Sequence, residues 1–224
     1  MIYNFFKRLF DIACSCLGLI FTSPIWLITV IGIKLSDPGA VFYIANRVGK
    51  NNDVFKMYKF RSMYQTTANE SVFRGEESRI FPFGKFIRAT KIDELPQLIN
   101  ILNGTMSIVG PRPAAVDQLD AVRSGKYIKA SEVAAGLTGP SALYDYIYGD
   151  SIESEEEYIT KVLPTRLDLD VFYVENRSWH YDLKMIIYTV LCILCTVFKI
   201  KPEFIYNELV RCAALVAESD KVNI

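Results

Sequence analysis

Two adjacent carboxylates, Asp93 and Glu94, are the residues in this chain best suited by type and spacing to do chemistry. They stand in the stretch KIDELPQ (residues 91–97), with Arg88 and Lys91 just upstream. An apolar helical pattern follows at Leu95, Leu98, Ile99 and Leu102 and stops at Asn103-Gly104, a C-cap signal. Pro96 fits the first turn of a helix and is poorly tolerated deeper in. That spacing predicts Asp93 at or near the N-cap and Glu94 as an early helical residue. A register with Thr90 as cap and Asp93 as its capping-box partner leaves Pro96 too far inside. In both registers the two acids lie at the positive end of a short helix, which favours their ionised forms and a phosphate alongside. A plainer account of the same pattern is two acids that only cap and solvate a helix start. Further on, SIVGPRP (residues 107–113) holds Arg112 between two prolines on a stiff, non-helical segment. An acid pair followed by an arginine on a rigid turn has the parts of a phosphate-handling site. The pair offers a nucleophile and a metal ligand, and the arginine offers a charge clamp.

The elements that must position these groups are readable in outline. Residues 41–43 and 54–63 read as short strands joined by the polar turn GKNND (residues 49–53). In the second, Lys59 and Arg61 share one face, so Lys59 is a candidate phosphate contact, although a solvated strand face accounts for the pair as well. Residues 66–78 are polar and of mixed charge, as in a loop or short amphipathic segment. IFPFGKFIR (residues 80–88) sets Phe81, Phe83, Phe86 and Ile87 beside Lys85 and Arg88, which suits membrane headgroup level or plain core packing. Residues 114–133 are helical in character, AGLTGP (135–140) reads as a tight glycine-rich turn, and the acidic residues 151–157 read as a solvated helix start. The apolar residues 185–198 are too few to span a bilayer and read as a core or interfacial helix. Residues 204–224 form a modest amphipathic tail.

Residues 12–33 contain no charge, a run long enough to cross a bilayer. The run is too long for a signal peptide's apolar region and lacks a small-residue cleavage site, so it is expected to be retained. Ser23-Pro24 falls at its middle, where the missing N–H and the proline ring predict a kink. Lys7-Arg8 precede the run and Lys34 follows it, so both ends carry the cationic mark of a cytoplasmic flank. A re-entrant hairpin bent at Ser23 and Pro24 satisfies both ends where a straight span does not.

Composition narrows the function classes. The chain has 224 residues, with 25 Lys+Arg against 25 Asp+Glu, so no net charge points toward nucleic acid. Hydrophobic residues make up 51%, high for a soluble domain. Its 5 cysteines are odd in number and mostly sit in apolar runs, so no disulfide framework is implied, and Cys192 and Cys195 read as small hydrophobes on a helix. His180 is the only histidine, which leaves carboxylates to carry the chemistry.

Three motifs in order, YKFRSM (residues 58–63), DELPQ (93–97) and GTMSIVGPRP (104–113), resemble the bacterial sugar transferases, the monotopic polyprenyl-phosphate phosphoglycosyl transferases. The resemblance runs over residues 7–189. It implies an anchor that dips into one leaflet of the bacterial inner membrane and returns, with the active site on the cytoplasmic face. It implies transfer of a phosphosugar from a UDP-sugar to undecaprenyl phosphate with release of UMP, the first membrane step of glycoconjugate synthesis. Asp93 is then the nucleophile that forms an aspartyl-phosphosugar. Glu94 would hold Mg²⁺, whose preference for hard oxygens suits a carboxylate plus diphosphate oxygens. Arg88 and Arg112, with Lys59, would spread charge on the transferring phosphoryl group. After Pro140 the pattern departs: many relatives continue to an Asn-Gly-Arg, whereas SALYDYIYGD (residues 141–150) stands here, which leaves the donor contacts unassigned. Two other readings are a glycosyl transferase that releases UDP and a non-catalytic membrane scaffold for glycan assembly. The expected fold is α+β: a helix-break-helix membrane hairpin over 1–36, a compact, mostly helical catalytic domain with short strands and interfacial amphipathic helices over 37–200, and a C-terminal amphipathic tail over 201–224.

Overall fold

The computed structural model of the chain describes residues 2–64, 79–148 and 155–222. The loop expected at 66–78 lies outside these residues, as do the first part of the acidic segment at 151–157 and the end of the tail.

The chain is mostly helical with a few short strands. It opens with α1 (Ile2–Ser36), which is uninterrupted at Ser23 and Pro24, where the sequence suggests a break. The local chemistry accounts for the continuity. Proline at 24 has no N–H for the carbonyl four residues back, and Ser23 Oγ donates to that same Ile20 carbonyl at 2.8 Å. Thr22 Oγ1 donates to the Gly18 carbonyl at 2.6 Å.

α1 contacts the rest of the protein along its length. Near its start, Lys7 Nζ and the Tyr3 hydroxyl both donate to Asp182 Oδ2 at 2.7 Å. Asp11 Oδ1 accepts the Ile108 N–H at 3.0 Å. In the middle, Gly18 meets Leu98, and nearer the end a Cβ on Gly32 would stand 2.5 Å from the Phe83 ring. Toward its end, Ile33 is fully buried with Phe60, Phe81 and Ile87. The opposite face is apolar and bare: Phe21 and Leu35 are 76% and 82% exposed.

β1 (Phe42–Val48) pairs antiparallel with β2 (Val54–Phe60) through the turn at residues 49–53, as expected, although β1 is longer than the three residues read as extended. α2 (Pro82–Ala89) precedes a 3₁₀ turn (Ile92–Glu94), which leads into α3 (Gln97–Asn103). Gly104 ends α3 in the left-handed region at φ 87°, as a C-cap requires. Arg8 completes that end by donating from Nη2 to the Leu102 carbonyl at 2.7 Å. Leu98 and Ile101 seat α3 against Ala45 and Met57 of the β1–β2 pair. Burial of each such side chain stabilises the fold by about 1.5–3 kcal/mol.

Two expectations for the next stretch are corrected. Residues 114–133 are not one helix: β4 (Ala114–Ala115) adds to the edge of β1, and short 3₁₀ turns around α4 (Leu119–Val122) follow. The glycine-rich segment at 135–140 is not a turn either. Its first residues form β5 (Ala135–Thr138), parallel to β3 (Met106–Val109). The glycines serve close backbone approach, because a Cβ on Gly136 would stand 2.2 Å from the Gly110 nitrogen.

α5 (Pro140–Tyr148), a short helical stretch α6 (Glu155–Glu157), α7 (Leu163–Asn176), α8 (Trp179–Val197) and α9 (Glu203–Val222) complete the chain. α9 belongs to the largest core: Ile205, Leu209 and Ala213 pack with Leu143, Leu169, Tyr173 and Met185. α8 buries Cys192, whose thiol is pushed up to about 12 by burial, as befits an inert small hydrophobe. Cys195 is also unbridged. Among the described residues, α1 and α8 are long and apolar enough to cross a membrane by length and composition. Leu183, Ile187, Val190 and Leu194 leave the outer face of α8 bare.

Candidate active site

The dyad occupies the 3₁₀ turn, one step ahead of α3, so the coil starts earlier and tighter than the spacing suggests. Lys91 sets the turn with a left-handed backbone, φ 57° and ψ 16°. Glu94 N–H then donates to the Lys91 carbonyl at 3.1 Å, and Leu95 N–H to the Ile92 carbonyl at 3.1 Å. Pro96 takes the N-cap position of α3 and so needs no N–H bond inside the helix. Neither Asp93 nor Thr90 caps: no side-chain cap bond is made at the turn or at α3, and Thr90 Oγ1 donates instead to the Phe86 carbonyl. The plain account of the two acids as helix caps therefore has no bond to stand on.

The two carboxylates have different surroundings. Glu94 Oε1 accepts from Lys59 Nζ at 2.9 Å, with Lys91 Nζ at 4.0 Å. Burial alone would raise the Glu94 carboxyl, but Lys59, Lys91 and Arg112 outweigh it and hold the group well below the usual carboxylate range. Asp93 is 7% exposed, and its Oδ1 is buried with no hydrogen-bond partner among the described residues. Burial pushes Asp93 up; Lys59, Lys91 and Arg88 pull it back, and the charge on Glu94 adds to the rise. Lys91 Nζ also stands over the Tyr146 ring, 4.2 Å from its centroid, and burial pushes that ammonium down.

Lys59 reaches Glu94 because β2 is locked to α3. Asn100 Oδ1 accepts the Tyr58 N–H at 3.0 Å, and Asn100 Nδ2 donates to the Lys56 carbonyl at 2.7 Å. Arg61 turns away and ties down the turn after α1, donating from Nε to the Ala40 carbonyl at 2.6 Å and pairing with Asp37. Arg112 is held twice. Its N–H donates to Asp170 Oδ1 at 3.0 Å, and its Nη2 stands 3.1 Å from Asp145 Oδ2. Burial pulls Arg112 down, but Asp145 and Glu94 outweigh it and keep the guanidinium more firmly protonated than usual.

The structure thus brings Lys59, Lys91, Glu94, Asp93 and Arg112 into one electrostatic cluster, with Arg88 acting on Asp93 by charge. Sequence reasoning missed Asp145, Asp170, Asn100 and Tyr146, and noted Lys91 only as a neighbour. The i,i+3 spacing of Lys91 and Glu94 carried a signal for that pair. Asp145 and Asp170 carried none, because their partners lie far away in the chain.

Among the described residues no group of three or more His, Cys, Asp or Glu converges as a metal cage. A buried, unpartnered Asp93 oxygen beside an ionised Glu94 does fit Mg²⁺, which is held by one or two carboxylates and keeps water and substrate phosphate oxygens in its shell.

The site is thus a buried carboxylate pair ringed by cations, next to two bare apolar helices. The profile of the family described as bacterial sugar transferase matches residues 2–196, and the chain belongs to that family. Over 198 residues it is 35% identical to the UDP-N-acetylgalactosamine-undecaprenyl-phosphate N-acetylgalactosaminephosphotransferase of Aeromonas hydrophila, covering 86% of this chain and 44% of that protein. It is 36% identical to the UDP-glucose:undecaprenyl-phosphate glucose-1-phosphate transferase of Klebsiella pneumoniae, covering 83% of this chain and 39% of that protein. An uncharacterized sugar transferase of Bacillus subtilis (strain 168) is 36% identical over 82% of this chain and 85% of its own length. The chain therefore spans less than half of the first two relatives.

Proposed function

We propose that this protein transfers a phosphosugar from a UDP-sugar to undecaprenyl phosphate, releasing UMP and giving the undecaprenyl-diphosphate sugar. The observation that carries the reading is the asymmetric pair: Glu94 ion-paired with Lys59, Asp93 buried with one oxygen that no described residue engages. The names of the family relatives support the same chemistry.

An Asp93 oxygen attacks the sugar-bearing phosphorus of the donor. The bond from that phosphorus to the bridging oxygen breaks, UMP leaves with that oxygen, and an aspartyl-phosphosugar remains. A phosphate oxygen of the acceptor then attacks the same phosphorus, forming the diphosphate and returning Asp93 as a carboxylate. Arg112, fixed by Asp145 and Asp170, and Lys59, fixed through Asn100, present cations that need not rearrange as charge develops. Arg88 adds charge near Asp93. Glu94 would hold Mg²⁺ against the donor diphosphate; bound there, the ion would neutralise phosphate charge.

The protein acts as a monotopic enzyme on the cytoplasmic face of the bacterial inner membrane, with α1 continuous through Ser23 and Pro24 and its bare apolar face set in one leaflet. Contact between α1 and the domain from Tyr3 to Ile33 supports this, since a span through the bilayer would leave its middle without protein neighbours. Cysteine labelling before Tyr3 and after Val222 checks it: both sites should react from one side of sealed vesicles, and reaction from opposite sides removes the one-leaflet anchor.

A panel of UDP-sugars with undecaprenyl phosphate in detergent tests the activity. UMP release that vanishes in Asp93→Asn is the expected result. Release of UDP would instead identify a glycosyl transferase, and no turnover with any donor would favour a scaffold.

A further inference from the structure

Much of what steadies the site's cations stands on one short helix. On α5, Asp145 pairs with Arg112, and Ser141 Oγ donates to the Asp170 carboxylate that also accepts the Arg112 N–H. Tyr146, on the same helix, lies beneath the Lys91 ammonium. Ser141 and Asp145 are four apart and share one face, with Tyr146 turned to another. The helix has only 9 residues, and isolated helices shorter than ~12–15 residues are marginal in water. The placement of α5, and with it the aim of Asp145, must therefore come from what packs against it.

A third face of α5 carries Tyr144 and Tyr148, and a ring that meets both comes from α9. Tyr206 stacks on Tyr144 with centroids 5.9 Å apart and planes at 14°, and on Tyr148 at 6.0 Å and 16°. Tyr144 and Tyr148 stack on each other at 5.8 Å and 14°. These separations lie in the favoured range for aromatic pairs. Two rings one helical turn apart, both met by a third, resist sliding of α5 along its axis as well as rotation about it. The brace is itself anchored: Ile205 is fully buried, Leu209 is 1% exposed, and Glu208 pairs with Lys184 and the Tyr188 hydroxyl of α8. α9 lies beyond residues 2–196 that match the family, so the matched segment does not contain this support.

We propose that Tyr206 is a positioning residue: by stacking on Tyr144 and Tyr148 it sets α5 where Asp145 holds Arg112 against the reacting phosphate. Its effect on turnover rests on the phosphosugar-transfer reading; its effect on α5 does not. In the full-length protein in detergent, Tyr206→Ala should lower kcat for UMP release roughly 10–100-fold with KM little changed, because a guanidinium displaced by about an ångström is missed most in the transition state. Tyr206→Phe keeps the ring and should restore most of the rate. Tyr206→Leu fills part of the space without a ring to stack, and should show the same loss of kcat if the alanine variant does not fold. Val216→Ala, further along α9 and buried at 4% exposure, opens a cavity in the same helix; it should lower the melting temperature and leave kcat unchanged. Asp145→Asn should also slow turnover, and adding Tyr206→Ala to it should slow it little further, since both act through Arg112. Hydrogen exchange is followed in the same samples: peptides from 140–148 should lose protection in Tyr206→Ala and keep it in Val216→Ala. Unchanged kcat in Tyr206→Ala, additive losses in the double variant, or an equal loss of kcat in Val216→Ala would overturn the assignment. If the unmodified protein releases no UMP from any donor, exchange decides. Protection lost over 140–148 in Tyr206→Ala then keeps the brace and removes the phosphosugar-transfer reading, and unchanged protection overturns the brace whatever the activity.

Discussion

Asp93 and Asp182 are both buried aspartates, and they do opposite work. Asp182 is saturated: Oδ2 takes Tyr3 and Lys7, and Oδ1 takes the Tyr173 hydroxyl at 2.9 Å. Those bonds tie α1, α7 and α8 together and leave the carboxylate nothing further to do. Asp93 lies in a 3₁₀ turn with an oxygen that no described residue engages, while its neighbour Glu94 absorbs the local cations. Burial with full hydrogen bonding makes an acid a strut, and burial without it stores free energy that chemistry can use.

The contrast can be broken from either side. Asp93→Asn should lower UMP release on the order of 10³-fold or more, with the melting temperature unchanged or raised, because a buried carboxylate with one oxygen left without a hydrogen bond is removed. A large loss of stability together with activity would place Asp93 among the struts. Glu94→Gln should cost roughly 10²–10³-fold in turnover, and added donor should not restore it. An unaltered Mg²⁺ dependence in that variant would take the metal away from Glu94.

Asp182→Ala should do the reverse and destabilise by about 3–5 kcal/mol, since it strands Lys7 in a part-buried site. Denaturant unfolding in detergent measures it, and the folded fraction should keep its specific activity. Asn100→Ala sits between the two classes. It should cost about 1–3 kcal/mol from unsatisfied backbone groups and also slow turnover by loosening Lys59.

The smallest effect belongs to Glu208, whose partners are Lys184 and the Tyr188 hydroxyl. Burial works to raise this carboxyl, but those partners outweigh it and hold it below the usual range. A depressed folded value adds stability above the unfolded value near pH ~4.3, lost as pH falls through the folded one. The unmodified protein should exceed Glu208→Gln by roughly 0.2–1 kcal/mol at neutral pH, and the gap should close in acid.

What could be read from the sequence follows from how local each feature is. The dyad, the C-cap at Gly104 and the stiff segment around Arg112 depend on neighbours in the chain, and they were legible. The β1–β2 hairpin was legible for the same reason. Asp182 was not, because its partners Tyr3 and Lys7 stand 179 and 175 residues away. Gly136 and Gly139 looked like turn formers, but they are there so that β5 can lie against Gly110. The sequence marks 204–224 only as an amphipathic tail, and its i,i+4 apolar positions Ile205, Leu209 and Ala213 form the helix face that the core covers. Pro24 looked like a break because the compensating donor is the side chain of the residue beside it.

The contacts of Arg8 and Asp11 have a practical corollary. Arg8, in the second turn of α1, closes the end of α3, and Asp11 occupies the backbone N–H of Ile108 on the strand that leads to Arg112. Trimming the first thirty-odd residues to make a soluble fragment would therefore strip ligands from the two segments that frame the reaction, leaving a remnant unable to hold its own catalytic shape. The greasy N-terminal rod is a wall of the enzyme as much as its mooring.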